Sequence, residues 1–395
     1  MNKLFYLCFF IVMVMPGLMS AQNSEGFQFT TVKENKITPV KNQNRSGTCW
    51  SFSGIAFLES ELIRMGKPEM DLSEMLVVHN NYNVQAERYV RLHGNLNFGP
   101  GGSFHDVIET IREVGMVPDS EMTGLNYGED LHVHGELDEL THAYVKAAAA
   151  NKNGKLSPVW KLGYTGILDA YLGKIPEKFT YEGKEYTPRT FADNFLGLNP
   201  DNYVSLTSYT HHPFYSMFPI EVPDNWRWAL SYNLPIDEFM EVFDYAIDKG
   251  YTIAWASDVS ERGFRNGIAR VPDIDVESLS GSDRARWEGL TNSEKEAEAL
   301  KNMQNPGYEK AINQEVRQQA YDNHQTTDDH GMQIYGIAKD QTGTKYYMVK
   351  NSWGTSGPYN GIWYASEQFV KYKTMNIVVH KDAIPKAISR KLFEK

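Results

Sequence analysis

Gln43-Asn-Arg-Ser-Gly-Thr-Cys-Trp-Ser-Phe-Ser53 holds a glutamine six residues ahead of a cysteine and then enters a run of apolar positions with helical spacing. Ser46 and Gly47 suit a turn, and beyond them Phe52, Ile55, Ala56, Leu58, Leu62 and Ile63 fall on one side of a helix over 50–65. Cys49 therefore stands at a helix N-terminus. Unpaired backbone N–H groups and the positive end of the helix dipole favour a thiolate there, which predicts a sulfur pKa lowered from about 8.5 and the environment of a nucleophile.

Outward from this point the chain is punctuated clearly on both sides. Ile37-Thr-Pro-Val-Lys-Asn-Gln43 leads into the helix, and Gly66-Lys-Pro68 ends it. A second helix is predicted over 72–92 with Asp71 as its cap, followed by a loop with Gly94, Gly99, Pro100, Gly101 and Gly102 whose backbone a ligand can approach closely. A third helix is predicted over 103–114, with Val107, Ile108 and Ile111 on its apolar face and Gly115 closing it. The stretch 126–230 is irregular apart from an Ala-rich helix at 143–150, and it reads as an insertion. Pro235 opens a helix to Asp248, Gly250 ends it, and 251–256 is a buried strand. A charged helical region over 293–323 is broken at Pro306. Strands then follow at 331–338, 345–350, 361–365 and 375–380, with a turn at Gln341-Thr-Gly-Thr344 between the first two.

With 395 residues, 41% hydrophobic and 23% charged, the chain can bury a large core. Residues 1–21 read as a cleaved export leader: Lys3, an apolar run from Leu4 to Met15, a break at Pro16-Gly17, and small residues Ser20-Ala21 before Gln22. No stretch of the mature chain is long and apolar enough for a membrane span, so the expectation is an exported protein, periplasmic or extracellular. The leader carries Lys3 and no acid, which leaves 38 basic against 50 acidic residues and a net charge of −12. That balance argues against nucleic acid as a partner. The leader also carries Cys8, so Cys49 is the mature chain's sole thiol and no internal disulfide is available to it.

A cysteine nucleophile needs a base to move its proton and a group to orient that base. Of 11 histidines, His330 alone precedes a strand that turns back through Thr342-Gly343 to a second strand ending in Asn351-Ser-Trp-Gly354. The hairpin brings His330 beside Asn351, whose side-chain oxygen can accept from one ring nitrogen and aim the other at sulfur, while Trp353 covers the bond. His324, Asp328, Asp329 and His330 also suggest a metal site, but adjacent acids in a polar loop are ordinarily solvated, so no metal is assigned. His132, His134, His211 and His212 read as surface residues, and Trp50, Phe52 and Phe57 as core. Asn44-Arg-Ser46 matches a glycosylation acceptor whose glycan would crowd the cleft.

Thr38-Pro-Val-Lys-Asn-Gln43 with Ser46-Gly-Thr-Cys-Trp-Ser-Phe52, the strand from His330, and Lys350-Asn-Ser-Trp-Gly354 together resemble the papain-like cysteine peptidases. The cysteine that usually precedes the nucleophile by three residues is absent, and Cys49 stands 281 residues before His330, against about 130–150 in the papain group. Both features are similar to the bleomycin hydrolase and aminopeptidase C family, with further likeness at Gly101-Gly102, Glu113-Val-Gly-Met-Val-Pro118 and Pro235-Ile-Asp237.

The resemblance implies an α+β papain-like fold of two lobes, a helical one and a β-barrel-like one, with a large insertion. Its divisions would be a leader (1–21), a short arm (22–36), the helical lobe (37–125), the insertion (126–230), the strand-rich lobe (231–385) and a tail (386–395). It implies peptide hydrolysis with no cofactor, Gln43 helping to hold the oxyanion, Cys49 attacking, His330 as acid and base, Asn351 orienting it, Trp50 and Trp353 in support, and Gly101 and Gly102 along the substrate backbone. The family's hexameric ring makes a homo-oligomer the expected assembly. In that family a C-terminal arm lies in the cleft and its carboxylate pairs with the substrate amine. Here 44 residues follow Asn351, ending in a basic amphipathic stretch. An endopeptidase with an open cleft, or a non-catalytic peptide-binding homologue, are therefore the competing readings.

Overall fold

Helical periodicity early in the chain and short apolar strands late in it build the two lobes of a papain-like fold around separate hydrophobic cores. The computed structural model describes residues 26–394, so the leader expected at 1–21 lies outside the described residues. In chain order the first elements are β1 (Thr30–Glu34), α1 (Cys49–Arg64), α2 (Glu74–Arg91), α3 (Phe104–Glu113), α4 (Gly135–Ala149) and α5 (Trp160–Leu172). A hairpin of β2 (Phe179–Tyr181) and β3 (Lys184–Tyr186), the short turn α6 (Pro188–Thr190), and β4 (Tyr203–Thr207), β5 (Met217–Pro219) and β6 (Leu230–Asn233) follow. Next come α7 (Ile236–Asp248), β7 (Ile253–Ser257), β8 (Phe264–Arg265), β9 (Ile268–Ala269), α8 (Gly281–Glu288), α9 (Asn292–Ala299) and α10 (Gln314–Asp322). The chain closes with β10 (His330–Lys339), β11 (Lys345–Lys350), β12 (Ile362–Ser366), α11 (Glu367–Lys373), β13 (Thr374–His380) and α12 (Lys386–Phe393).

α1 is buried continuously from Trp50 to Leu62, not along one stripe, because α2 and α3 cover part of it and β10 and β7 the rest. A helix enclosed in this way holds its first residue in place. Ser73, not the expected Asp71, caps α2 by accepting from the Leu76 N–H at 3.0 Å; Asp71 pairs with Lys41 instead. Lys41 also reaches Glu74 and Glu59, which ties the segment entering α1 to both helices.

The stretch 126–230, expected as one insertion, divides between the lobes. α4 and α5 bury Leu137, Val145, Tyr164, Leu168 and Leu172 in the helical core, whereas β4 and β5, with β6 at the end of the stretch, extend the sheet of the other lobe. That sheet has the order β5-β6-β4-β13-β7-β10-β11-β12-β9-β8, and β1, from the segment expected as a plain arm, pairs with β10. The hairpin of β10 and β11 opposes Gln333 to Lys350, so His330 at one strand's start and Asn351 just past the other's end lie at the same sheet edge. Its turn is set by Asp340, whose Oδ1 accepts from the Thr342 and Thr344 N–H groups at 2.8 and 3.0 Å, and by Gly343 at φ +90°.

One buried ion pair fastens the divided stretch to the helical lobe. Asp106 accepts the Ser103 N–H at the start of α3 and pairs with Arg227, and both side chains are almost fully buried. Arg227→Met leaves the Asp106 carboxylate buried without its cation and is expected to cost about 3–5 kcal/mol, read as a lower urea midpoint at unchanged slope.

Candidate functional site

Cys49 opens α1, and the Ser51 and Phe52 N–H groups already donate back to the Thr48 carbonyl. Gly47 makes the turn before it at φ +65°, and a Cβ there would stand 2.8 Å from Pro100, so the turn needs both the backbone freedom and the missing side chain of glycine. Trp50 donates its Nε1–H to the Pro100 carbonyl at 3.0 Å and anchors the loop carrying Gly101 and Gly102. A cavity opens at this point, lined by Cys49, Trp50, Gly102, Asp224, Asp328 and His330 among others.

β10 reaches the cavity because residue 331 is glycine. A Cβ at Gly331 would lie 2.7 Å from Ser53 Oγ and 3.2 Å from Trp50 Cα, so only glycine lets the strand pass so close to the first turn of α1. His330, one residue earlier, thereby shares the cavity with the thiol. Its Nε2–H donates to Asn351 Oδ1 at 2.8 Å. The same Oδ1 accepts the Ser352 N–H at 2.7 Å, which identifies the amide oxygen and fixes the ring as the Nε2–H tautomer with a lone pair on Nδ1. Trp353 covers this bond, its ring 4.7 Å from that of His330.

Burial pushes the Cys49 thiol up to about 12, against the pull of the Gly331 and Trp50 N–H groups toward thiolate. Desolvation opposes the lowered value expected from the helix start and outweighs those donors. Burial likewise brings His330 down to about 4, against the bond to Asn351. Each group taken singly is therefore neutral near pH 7, and a proton moving from Sγ to Nδ1 creates two charges that offset each other's desolvation.

Gln43 lies on the other side of the same frame. Its N–H donates to the Ser352 carbonyl at 2.8 Å and its Oε1 accepts from Ser352 Oγ at 2.5 Å, so Oε1 is held and Nε2 keeps its hydrogens free of described partners. Neither Gln43 nor Gly101 is among the residues lining the cavity; a Cβ on Gly101 would collide with the Asp224 carboxylate at 2.3 Å.

Several residues depart from their expected settings. His134 is fully buried and His132 half-buried, not on the surface: the His132 carbonyl accepts the Arg45 N–H, and His134 donates its N–H back to the Arg45 carbonyl, which braces the loop before Cys49. His211 and His212, exposed and half-exposed as expected, both face Glu221, at 3.2 and 3.1 Å, and these are the residues among those described that are close enough to share an ion. Gln318 donates to His211 Nδ1 at 3.1 Å, which leaves the Nε2 proton pointing at Glu221 and makes the group a hydrogen-bonded cluster as it stands. Asp329 accepts the Val259 and Ser260 N–H groups and so has a structural task, whereas Asp328 faces the cavity with no hydrogen-bond partner among the described residues. Asp224 and Asn376, which also line the cavity, were not foreseen: one lies in the irregular stretch and the other in a strand whose residues carry no motif.

Two family models match, one at each end of the chain. The papain family of cysteine proteases matches residues 25–128, and the Peptidase C1-like family matches residues 290–395. Aminopeptidase G of Lactobacillus delbrueckii subsp. lactis is 22% identical over 88% of this chain and 82% of its own length. Aminopeptidase C of Listeria monocytogenes is 21% identical over 90% and 82%, and aminopeptidase C of Streptococcus thermophilus 23% over 87% and 80%. Among solved structures, PepW from Lactobacillus rhamnosis superposes with a TM-score of 0.67 at 20% identity, covering 92% of this chain and 84% of that one.

Proposed function

We propose that this chain, which belongs to the papain-like cysteine peptidases, hydrolyses peptide bonds through Cys49, His330, Asn351 and Gln43 and acts as an aminopeptidase. The observation that carries the chemistry is the fixed His330 tautomer, which leaves a lone pair on Nδ1 in the cavity that holds the thiol. In this reading Nδ1 takes the Cys49 proton as sulfur attacks the substrate carbonyl carbon. The oxygen, now negative, is met by Gln43 Nε2–H and the Cys49 backbone N–H. His330 returns the proton to the departing amine and the acyl group stays on sulfur as a thioester. Water, deprotonated by His330, then adds to the thioester, and collapse releases the acid and restores the thiol.

The aminopeptidase part rests on the relatives, whose similarity extends over most of the chain's length. A specific observation favours the endopeptidase as second reading. α12 lies outside the cavity: it packs Ile388 and Leu392 into the strand lobe's core and pairs Lys391 with Glu238, so none of its residues lines the cleft. Comparing a free-amine aminoacyl anilide with its N-acetylated twin decides between them. The expected result is cleavage of the free-amine substrate alone; equal cleavage of both would establish the endopeptidase.

Export completes the proposal. N-terminal sequencing of the protein from the envelope or medium of the producing cell is expected to begin at Gln22, and a chain recovered from the cytosol with Met1 in place would end that reading.

A further inference from the structure

We propose that Asp224 and Asp328, with the side-chain oxygen of Asn376, form the subsite that binds the α-ammonium group of the substrate, the task that the family resemblance would give to a C-terminal carboxylate. The inference rests on the aminopeptidase reading and names the residues that carry its specificity.

The two acids come from distant parts of the chain and line one cavity with Cys49 and His330. Neither forms an ion pair among the described residues. Asp328 has no hydrogen-bond partner there either, and Asp224 has one long contact from Asn97 Nδ2 at 3.4 Å. Arg227, the guanidinium closest in sequence, is committed to Asp106.

The third acceptor is independent of this acid pair. Asn376 is 9% exposed and lines the same cavity; its Nδ2 donates to Ser205 Oγ at 2.9 Å, and its Oδ1 accepts from no described residue. A primary ammonium has three N–H donors and no acceptor, which suits three acceptors lining one cavity.

The remaining polar groups in the cavity are already engaged. His105 gives its Nε2–H to the Leu230 carbonyl, and burial holds its pKa down, so it offers no cation. Burial brings His330 down to about 4, and Asp329 is bonded to backbone N–H groups. Asn225 donates to the Ile220 and Ala229 carbonyls and accepts the Ala229 N–H. The two carboxyls thus have no cationic partner among the described residues. Burial, Asp224 and Asp329 hold the Asp328 carboxyl up to about 8, and burial with Asp106 holds Asp224 up to about 6. A cation entering here would draw both back toward the ionised form.

Placement separates the N-terminal amine from the other source of an ammonium or guanidinium, a basic side chain near the scissile bond. Asp224 stands directly over Gly101, where a Cβ would meet its carboxylate at 2.3 Å. If the substrate backbone runs along Gly101 and Gly102, the carboxylate occupies the path by which a longer chain would continue. A chain that ends there presents its own amine.

The test measures kcat/KM for wild type, Asp224→Asn, Asp328→Asn and the double variant on three anilides. These are an aminoacyl substrate with a free amine, its N-acetyl twin, and an N-acetyl dipeptidyl substrate with arginine second from the scissile bond. In wild type the free-amine substrate is expected to be preferred, and in the double variant the ratio of free-amine to acetyl cleavage is expected to fall at least about tenfold, carried mainly by KM. A wild-type ratio near one overturns the aminopeptidase reading and this subsite with it. A clear wild-type preference that survives in the double variant overturns the subsite alone. So does a loss confined to the arginine substrate, which would make the acids a side-chain pocket. Should the variants fail to fold, an α-hydroxy analogue of the free-amine substrate decides the matter on wild type: cleavage much slower than that of the amine supports the subsite, and cleavage as efficient as that of the amine rules it out.

Discussion

Cys49→Ala is expected to lower turnover on the free-amine anilide by about a millionfold while the protein stays folded, as loss of a nucleophile does where nucleophile and base act as a unit. The fold should tolerate the change. Alanine is the best helix former, and the enclosure of α1 comes from the residues between Trp50 and Leu62, not from sulfur. His330→Ala should cost a comparable amount, and the double variant little more than either single one, because sulfur without a proton acceptor and an acceptor without sulfur are equally idle. Alkylation separates the roles further. With burial holding the isolated thiol at about 12, an iodoacetamide-type reagent should label wild type at mildly acidic pH only through proton transfer to Nδ1, so His330→Ala should label far more slowly. Peptidase activity retained in purified Cys49→Ala, or labelling unaffected by loss of His330, would remove the assignment.

The placement of His330 beside Asn351 and near Cys49, on which the proposed chemistry rests, was legible in the sequence because each sits where a local rule is strong. Gly47 marks a turn, the apolar positions of α1 repeat with a helical period, and the β10–β11 hairpin is punctuated by Asp340 and Gly343, so short-range chemistry alone brings His330 beside Asn351. What the sequence could not carry was burial. The thiol's pKa rises where the helix start alone predicted a fall, because the desolvation comes from residues far away in the chain. His134 reads as a surface residue for the same reason: its polar character is local, while its burial behind the loop before Cys49 is tertiary. The stretch 126–230 was opaque because β4 and β5 are too short for alternation to show, and because its helices add to a core begun by α1, α2 and α3. Asp224 lies within that stretch, and nothing near it in the sequence points toward Gly101.

Gln43→Ala is expected to lower kcat by about 100- to 1000-fold, or about 2.7–4 kcal/mol of barrier, with little change in KM, because the lost donor meets charge that exists only once sulfur has attacked. The geometry sets the terms of this experiment. Ser352 Oγ holds the Gln43 Oε1 and the Ser352 carbonyl holds the Gln43 N–H, so the side chain arrives with its amide already turned and Nε2 available. Truncation to alanine also removes the acceptor of the Ser352 hydroxyl, next to Asn351, and a loss of rate through a disturbed His330 has to be told apart from loss of the donor. Gln43→Glu makes that distinction. A carboxylate still accepts from Ser352 but has no N–H to give and places negative charge where the oxyanion forms, so it should be at least as slow as alanine. If Gln43→Glu instead restores kcat to within about threefold of wild type, the glutamine acts through Ser352 alone and the developing oxyanion must find its donors in the backbone at Cys49 and elsewhere.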